Sequence, residues 1–327
     1  MNQMRCTDIS TALFPVERRP VFFVEDSALE LSDRDQAPQQ RHVQVERFEA
    51  IVDTQRKHTF AVVGPNYRLV TNEEAIELGR QCFRKVFSQA TDEGMEVFNI
   101  VMPKTRSFCH IDYINSNGGF EPWQNDRWVP YLRVTNSYNR TKPLTFDLGF
   151  CRWICTNGMI FGGKSIRFRF LHTRGAVGES VEFKTTFREL QELETRFIEQ
   201  VHNLKRYYVP AEVMLGLTCK VFDINASAQD MRNPRRRDRL MEFRECIGTL
   251  TKRYFEELGP NGYAALNVLT DFASRPTLYI SPEAMVDRLQ KRSGDWVSAF
   301  LTAIERKDFE FGEYLDKYAQ VAEVLAA

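Results

Sequence analysis

The stretch of this chain richest in chemical possibility runs Gly149-Phe150-Cys151-Arg152-Trp153-Ile154-Cys155-Thr156-Asn157-Gly158-Met159-Ile160-Phe161-Gly162-Gly163. It reads as an aromatic-rich strand entering an Asn-Gly turn, since that pair tolerates the positive φ angles of a type I′ hairpin. As a binding loop it offers Arg152, Thr156 and Asn157 as donors, beside a backbone that Gly158, Gly162 and Gly163 leave open to close approach. As plain architecture it is a tight turn at the edge of a core. The residues alone leave both readings open.

Two groups of cations could contact phosphate. In Ser165-Ile166-Arg167-Phe168-Arg169-Phe170-Leu171 strict alternation sets Arg167 and Arg169 on one face of a strand and the two Phe on the other. Joined by Arg152 and Arg174, and by Arg133 and Arg140 of a neighbouring run, that face could follow a phosphate backbone as single-strand binders do. In a chain with no net charge it reads first as an ordinary solvated face whose arginines pair with Glu182 or Asp147. The run Arg232-Asn233-Pro234-Arg235-Arg236-Arg237-Asp238-Arg239 sits at a helix entrance, where cations oppose the helix dipole and invite a compensating anion. Arg235, Arg236 and Arg237 are therefore candidate phosphate contacts, with a solvated loop or an acidic partner as the alternative. Trp123, Trp128, Tyr131 and Tyr138 could stack bases, but such aromatics more commonly fill a core.

Catalytic patterns are poor. Cys109-His110-x-Asp112 with Cys151 and Cys155 lacks zinc-ligand spacing, and there is no His-Glu-x-x-His. Gly158-x-x-x-Gly162-Gly163-Lys164-Ser165 echoes a phosphate loop with the wrong spacing and leads into a strand. No Gly-x-Ser-x-Gly elbow occurs. Neither catalytic residues, nor a metal, nor a cofactor is assigned.

Arg152 through Met159, Trp128-Val129-Pro130 leading to Asn136-Ser137-Tyr138, Tyr67 to Glu74, and Asn267-Val268-Leu269-Thr270 together resemble a family of phage- and plasmid-borne proteins, the domain of unknown function nine-thirty-two. These anchors span about residues 60 to 275. The resemblance implies a mobile-element context and no particular reaction. A sheet with packed helices also resembles single-strand annealing proteins, at the level of fold alone.

The elements that would position these residues fall into two halves. Residues 1–42 read as an N-terminal arm and linker, and 43–178 as an antiparallel sheet domain. Within it, His58 to Val63 and Tyr67 to Val70 flank a Gly-Pro-Asn turn, and Thr71-Asn72-Glu73-Glu74 forms a capping box for a helix over 71–90. Met95 to Met102, Phe108 to Ile114, Trp128 to Thr135, Leu144 to Ile154 and Ser165 to His172 supply the remaining strands. From 179 to 327 the apolar spacing is helical. Phe187 to Tyr208 and Leu240 to Leu258 form long stripes, the second capped by Gly259. A third helix starts at Ser281-Pro282-Glu283 and a fourth covers Trp296 to Ile304. The fold class is α+β: an antiparallel β-sheet with one packed helix in the N-terminal half and a helical C-terminal half.

Composition sets the outer bounds. Lys+Arg and Asp+Glu are both 44, so no global field gathers polyanions and any nucleic-acid contact must be a local patch. No apolar run approaches the roughly 20 residues of a membrane span, and Met1 to Phe14 lack a signal-peptide pattern, which points to the cytoplasm. Seven unpatterned Cys fit a reducing compartment. The functional expectation is a non-enzymatic protein of a phage or plasmid that binds nucleic acid, single-stranded DNA first, in recombination or annealing, and works as a homo-oligomer. The alternative is a protein-interaction factor that inhibits or scaffolds host machinery.

Overall fold

The computed structural model describes residues 4–26, 40–87, 92–123, 126–152, 157–159, 166–173, 187–277 and 286–327. Within them the strands are β1 (Met4–Cys6), β2 (Val16–Asp26), β3 (Gln40–Asp53) and β4 (His58–Val63), then, after helix α1 (Asn72–Val86), β5 (Met95–Met102), β6 (Phe108–Asn115), β7 (Phe120–Trp123), β8 (Asp126–Ser137), β9 (Leu144–Arg152), β10 (Asn157–Met159) and β11 (Ile166–Phe170). The second half is helical: α2 (Phe187–Arg206), α3 (Met214–Phe222), α4 (Ala228–Arg232), α5 (Pro234–Leu258), α6 (Gly262–Ser274), α7 (Val286–Ile304), α8 (Phe311–Leu315) and α9 (Lys317–Ala326). An eight-stranded antiparallel sheet has the order β1-β5-β6-β8-β9-β10, with β11 also on β9 and β7 on β8; a second sheet is β2-β3-β4. The α+β reading holds, strands first and helices after.

The two faces of the large sheet differ because alternate residues differ. On β8 and β9, Trp128, Leu132, Val134, Phe146, Leu148 and Phe150 point to one side and are buried. Helix α1 lies on them, and its Gly79 lets the backbone come so near that an added Cβ would stand 2.5 Å from Val134 Cγ2. Farther along the same face Phe197 of α2 packs edge-on to Trp128, with ring centroids 4.7 Å apart. One continuous apolar core thus runs from the sheet through α2, α3, α5, α6 and α7. The opposite face carries His110, Asp112, Arg133, Thr135, Thr145 and Asp147, all buried.

Local chemistry explains the helix boundaries. Thr71 caps α1 by accepting the Glu74 amide at 3.1 Å, but the Glu74 carboxylate turns away to Arg68, so only half of the expected capping box forms. Tyr138 Oη accepts the amide of Asn72, the first residue of the helix, at 2.8 Å. Helix α1 ends at Val86, and residues 88–91 lie outside the described set. At the other end of the chain, Asn261 joins two helices. Its Oδ1 accepts the amides of Tyr263 and Ala264, both at 3.0 Å, while its Nδ2 donates to Leu258 O at 2.7 Å.

Several sequence expectations need correction. Of residues 1–42, read as an arm, the described ones do not stand apart from the core: β1 pairs with β5, Ala12 is fully buried, and positions 40–42 fall inside β3. Tyr67 to Val70 is not a strand; the hairpin is β3–β4, and Tyr67 makes only an isolated bridge to Thr173. Gly259 ends α5 with φ +81° but ψ 162°, outside the αL well. The third and fourth helices are one, α7, continuous from Val286 through Trp296 to Ile304; the proposed cap at Ser281 lies outside the described residues. Helix α6 escaped notice because its buried residues run all round it and leave no stripe.

Two glycines test this packing in opposite directions. Gly79→Ala gains helix propensity but overpacks against Val134, so a net loss of about 1–3 kcal/mol is expected. Gly248→Ala, exposed on α5 with nothing within 4 Å of the added methyl, should instead stabilise by about 0.5–1 kcal/mol. Urea unfolding midpoints of the two variants check both signs.

Candidate functional site

Arg152, at the end of β9, is 1% exposed. The register sets it between Trp128 of β8 and Asn157 of β10. Its Nε donates to Asp126 Oδ1 at 2.6 Å and its Nη2 to Glu257 Oε1 on α5, also at 2.6 Å. Asp126 further accepts the Tyr263 hydroxyl of α6, and that hydroxyl accepts Trp128 Nε1 at 2.9 Å. Strand β8, strand β9, α5 and α6 therefore meet in one chain of bonds. Burial opposes the Arg152 charge, but Asp126 and then Glu257 outweigh it and raise its pKa, so the cation is fixed. Burial and Asp126 push the Tyr263 phenol well above its ordinary value, keeping it a donor.

Lys205 of α2 stands beside this network. Its Nζ lies 3.3 Å from the centroid of the Trp123 ring and 5.7 Å from that of Tyr263. Burial lowers its pKa to about 8, with Asp126 opposing and Arg152 assisting.

A second constellation crosses the polar face of the sheet. The registers place Asn99, Asp112, Arg133, Asp147 and Arg167 side by side on β5, β6, β8, β9 and β11. Arg133, 1% exposed, is held bidentately by Asp112 at 2.7 and 2.9 Å, and its Nη1 donates to Gln290 of α7 at 2.7 Å. Arg167 is bonded to Asp147. One row on, His110 Nδ1 and Thr135 Oγ1 are 2.8 Å apart. The row alternates in sign and its charges cancel.

The sequence-derived phosphate contacts thus separate. Arg167 and Arg169 do share a face, opposite Phe168 and Phe170, but Arg152 is on the other side of the sheet and inaccessible. It is removed from any phosphate track, because its two strong donor directions are spent on carboxylates. Arg133 leaves as well, buried with its donors on Asp112 and Gln290, and Arg167 is engaged by the very Asp147 that the sequence offered as a neutralising partner. Arg169 is exposed. Thr156 and Arg174 lie outside the described residues. Asn157 and Gly158 belong to β10 rather than to a turn, because the ladder already pairs Asn157 with Arg152 and Gly158 with Cys151.

The arginine-rich run keeps its exposure. Asn233 caps α5 by accepting the Arg236 amide at 3.3 Å, and Pro234 occupies the first turn. Arg232, Arg235, Arg236, Arg237 and Arg239 are all exposed around this α4–α5 corner. Arg236 pairs with Asp230 and Arg237 approaches Asp238 at 3.5 Å. Among the described residues no ion pair holds Arg232, Arg235 or Arg239. The stacking candidates go inward: Trp128, Tyr131 and Tyr138 are buried, and only Trp123 is exposed.

For metal chemistry, alternation along β6 puts Cys109 on the apolar face and His110 with Asp112 on the polar one, so they cannot ligate one ion. Among the described residues no three His, Cys, Asp or Glu gather in a metal-holding group. Burial raises the thiol pKa of Cys82, Cys109 and Cys219, which leaves them as inert packing groups. A surface cleft of about 680 Å³ at the start of α1 is lined by mixed charges, including the paired Arg68 and Glu74. No helix among the described residues is long and apolar enough to cross a membrane.

The family model described as Domain of unknown function (DUF932) matches residues 59–293. The chain belongs to that family. No curated protein and no solved structure gives a significant match. The DUF932 region opens in β4 and closes within α7, so it contains both buried arginine networks and the α4–α5 corner. It excludes β2 and all of β3. Asp126, Glu257, Tyr263 and Gln290 were not picked out from sequence, and Asp112 was considered only as a metal ligand, not as the partner of Arg133. Their hydrogen-bond partners, arginines for all but Tyr263, are 21 to 157 positions away, and no local pattern marks such a bond.

Two outcomes follow for the Arg152 network. Arg152→Ala strands Asp126 in the interior and should cost about 3–5 kcal/mol in urea unfolding, whereas Arg152→Lys keeps the charge but cannot bridge both carboxylates and should fall between. For Lys205, the folded pKa of about 8 lies below the ordinary 10.5. Between those values the unfolded chain holds the proton that the folded one sheds, so this contribution makes stability rise with pH. Wild type should gain on Lys205→Met as unfolding is measured across that window.

Proposed function

We propose that this DUF932 protein is a non-catalytic nucleic-acid binder that contacts phosphate through the exposed arginines of the α4–α5 corner. Single-stranded DNA is the first candidate, and the setting is the cytoplasmic recombination or annealing of a phage or plasmid. The observation that carries the reading is five exposed guanidinium groups within eight residues, against two carboxylates close enough to pair among the described residues. A surplus of cations at a helix N-terminus is electrostatically unfavourable alone and is relieved by a polyanion. Arg169 is a separate exposed cation on β11, while the buried arginines take no part. Because the whole chain is neutral, binding is local and strongly salt-dependent.

The second reading, a protein-interaction factor, draws support from the apolar side chains that β2 and β3 leave in solvent: Phe22, Phe23, Val24 and Phe48. Titration of a labelled single-stranded oligonucleotide separates the two. On the nucleic-acid reading, log affinity falls linearly with log salt, and Arg235→Glu/Arg237→Glu flattens the slope by roughly 1.4 while Arg167→Glu changes it little. A wild-type protein that ignores oligonucleotides at low salt supports the second reading and ends the first.

A further inference from the structure

Beyond Pro20 the β2–β3 pairing breaks and resumes at Phe22 opposite Gln44, forming a two-stranded ribbon that β4 does not reach. Phe22, Phe23 and Val24 are 49%, 50% and 49% exposed, and since neighbours in a strand point to opposite faces, both faces of the ribbon present apolar groups to water. A two-stranded ribbon of this kind is marginal by itself and gains from a further strand. The outer edge of β2 is unpaired among the described residues. It offers a row of backbone donors and acceptors.

We propose that β2 is the pairing edge of a two-fold dimer, formed antiparallel with β2 of a second copy of this chain and centred on Phe22. The sequence of the strand, Val16-Glu17-Arg18-Arg19-Pro20-Val21-Phe22-Phe23-Val24-Glu25-Asp26, selects this partner and register. Folding it back on itself about Phe22 sets Arg19 opposite the partner's Glu25, Val21 opposite the partner's Phe23, and Phe22 against the partner's Phe22. Opposite charges meet at both ends and apolar groups in the middle. Centring on Val21 would instead oppose Glu17 and the partner's Glu25, two like charges, which cross-strand neighbours disfavour. Centring on Phe23 leaves Arg19 without a carboxylate. Among the described residues the ion-pair partner of Arg19 is the exposed Glu17, at 2.7 Å, a surface pair readily exchanged. Pro20, which has no N–H, sits where the ladder to β3 breaks, a position open to proline in an edge strand. A molecule with no net charge has no long-range repulsion to overcome on meeting its copy. None of these residues belongs to the α4–α5 corner, so dimerisation and oligonucleotide binding succeed or fail separately.

The test is sedimentation of the full chain with charge reversals. Wild type should dimerise at or below about 100 μM, Arg19→Glu and Glu25→Arg should each weaken dimerisation at least about tenfold, and Arg19→Glu/Glu25→Arg should restore it to within about threefold. In this register only position 22 meets itself, so Phe22→Cys should form a disulfide-linked dimer on mild oxidation, above the wild-type background, while Phe23→Cys should not. A wild type that stays monomeric, a dimer indifferent to the reversals, a double variant that stays weak, or preferential cross-linking at position 23 would each overturn the proposal. Circular dichroism matching wild type assigns a loss to the interface rather than to folding.

Discussion

Arg152 remains charged inside the protein because a strand and a helix bring it carboxylates from two directions, and much of the architecture follows from that meeting. Removing an ion from water costs several kcal/mol unless its donors are bonded again, so the end of β9 is fixed relative to α5 wherever Asp126 and Glu257 are both in place. Tyr263 and Trp128 extend the constraint to α6 and β8. The sheet and the helical half are thereby registered by polar geometry as well as by the apolar core between them, which resists sliding less specifically than directional bonds do.

The polar face of the sheet repeats this logic. Asp112, Arg133, Asp147 and Arg167 alternate in sign across neighbouring strands, so each charge has a partner beside it, and Gln290 brings α7 to the same row. A neutral chain of this size can bury several ions only when they cancel locally. What stays uncompensated is pushed outward: the arginines of the α4–α5 corner and Arg169 are solvated, where their charge is inexpensive to keep and open to a ligand.

Much of the fold was legible because it rests on short-range rules. β-rich runs located β5 and β6 to within a residue and β8 and β9 to within two, Thr71 marked the start of α1, the Phe187 stripe marked α2 and the Leu240 stripe fell within α5. The failures have physical causes. Helix α6 is buried all round and so shows no amphipathic stripe. Tyr67 to Val70 has strand-like composition, but among the described residues its pairing is limited to one bridge between Tyr67 and Thr173, and a strand exists only by continued pairing. The first 42 residues read as an arm because short apolar runs alternate with the polar, turn-prone stretch from Ser32 to Arg41, yet Ala12 is buried in the core and β1 pairs with the large sheet.

The candidate site was less legible than the fold. The sequence by itself determined which cations exist, that Arg167 and Arg169 share a face, and that the Arg235 run sits at a helix entrance, since those depend on backbone periodicity alone. Only the tertiary structure decided which guanidinium groups meet carboxylates. Arg152 and Arg169 look alike in one dimension, but one is enclosed by Asp126 and Glu257 and the other is in water. Accessibility and pairing are set by residues tens to more than a hundred positions away, and electrostatic energy depends on distance in space, which chain separation does not encode.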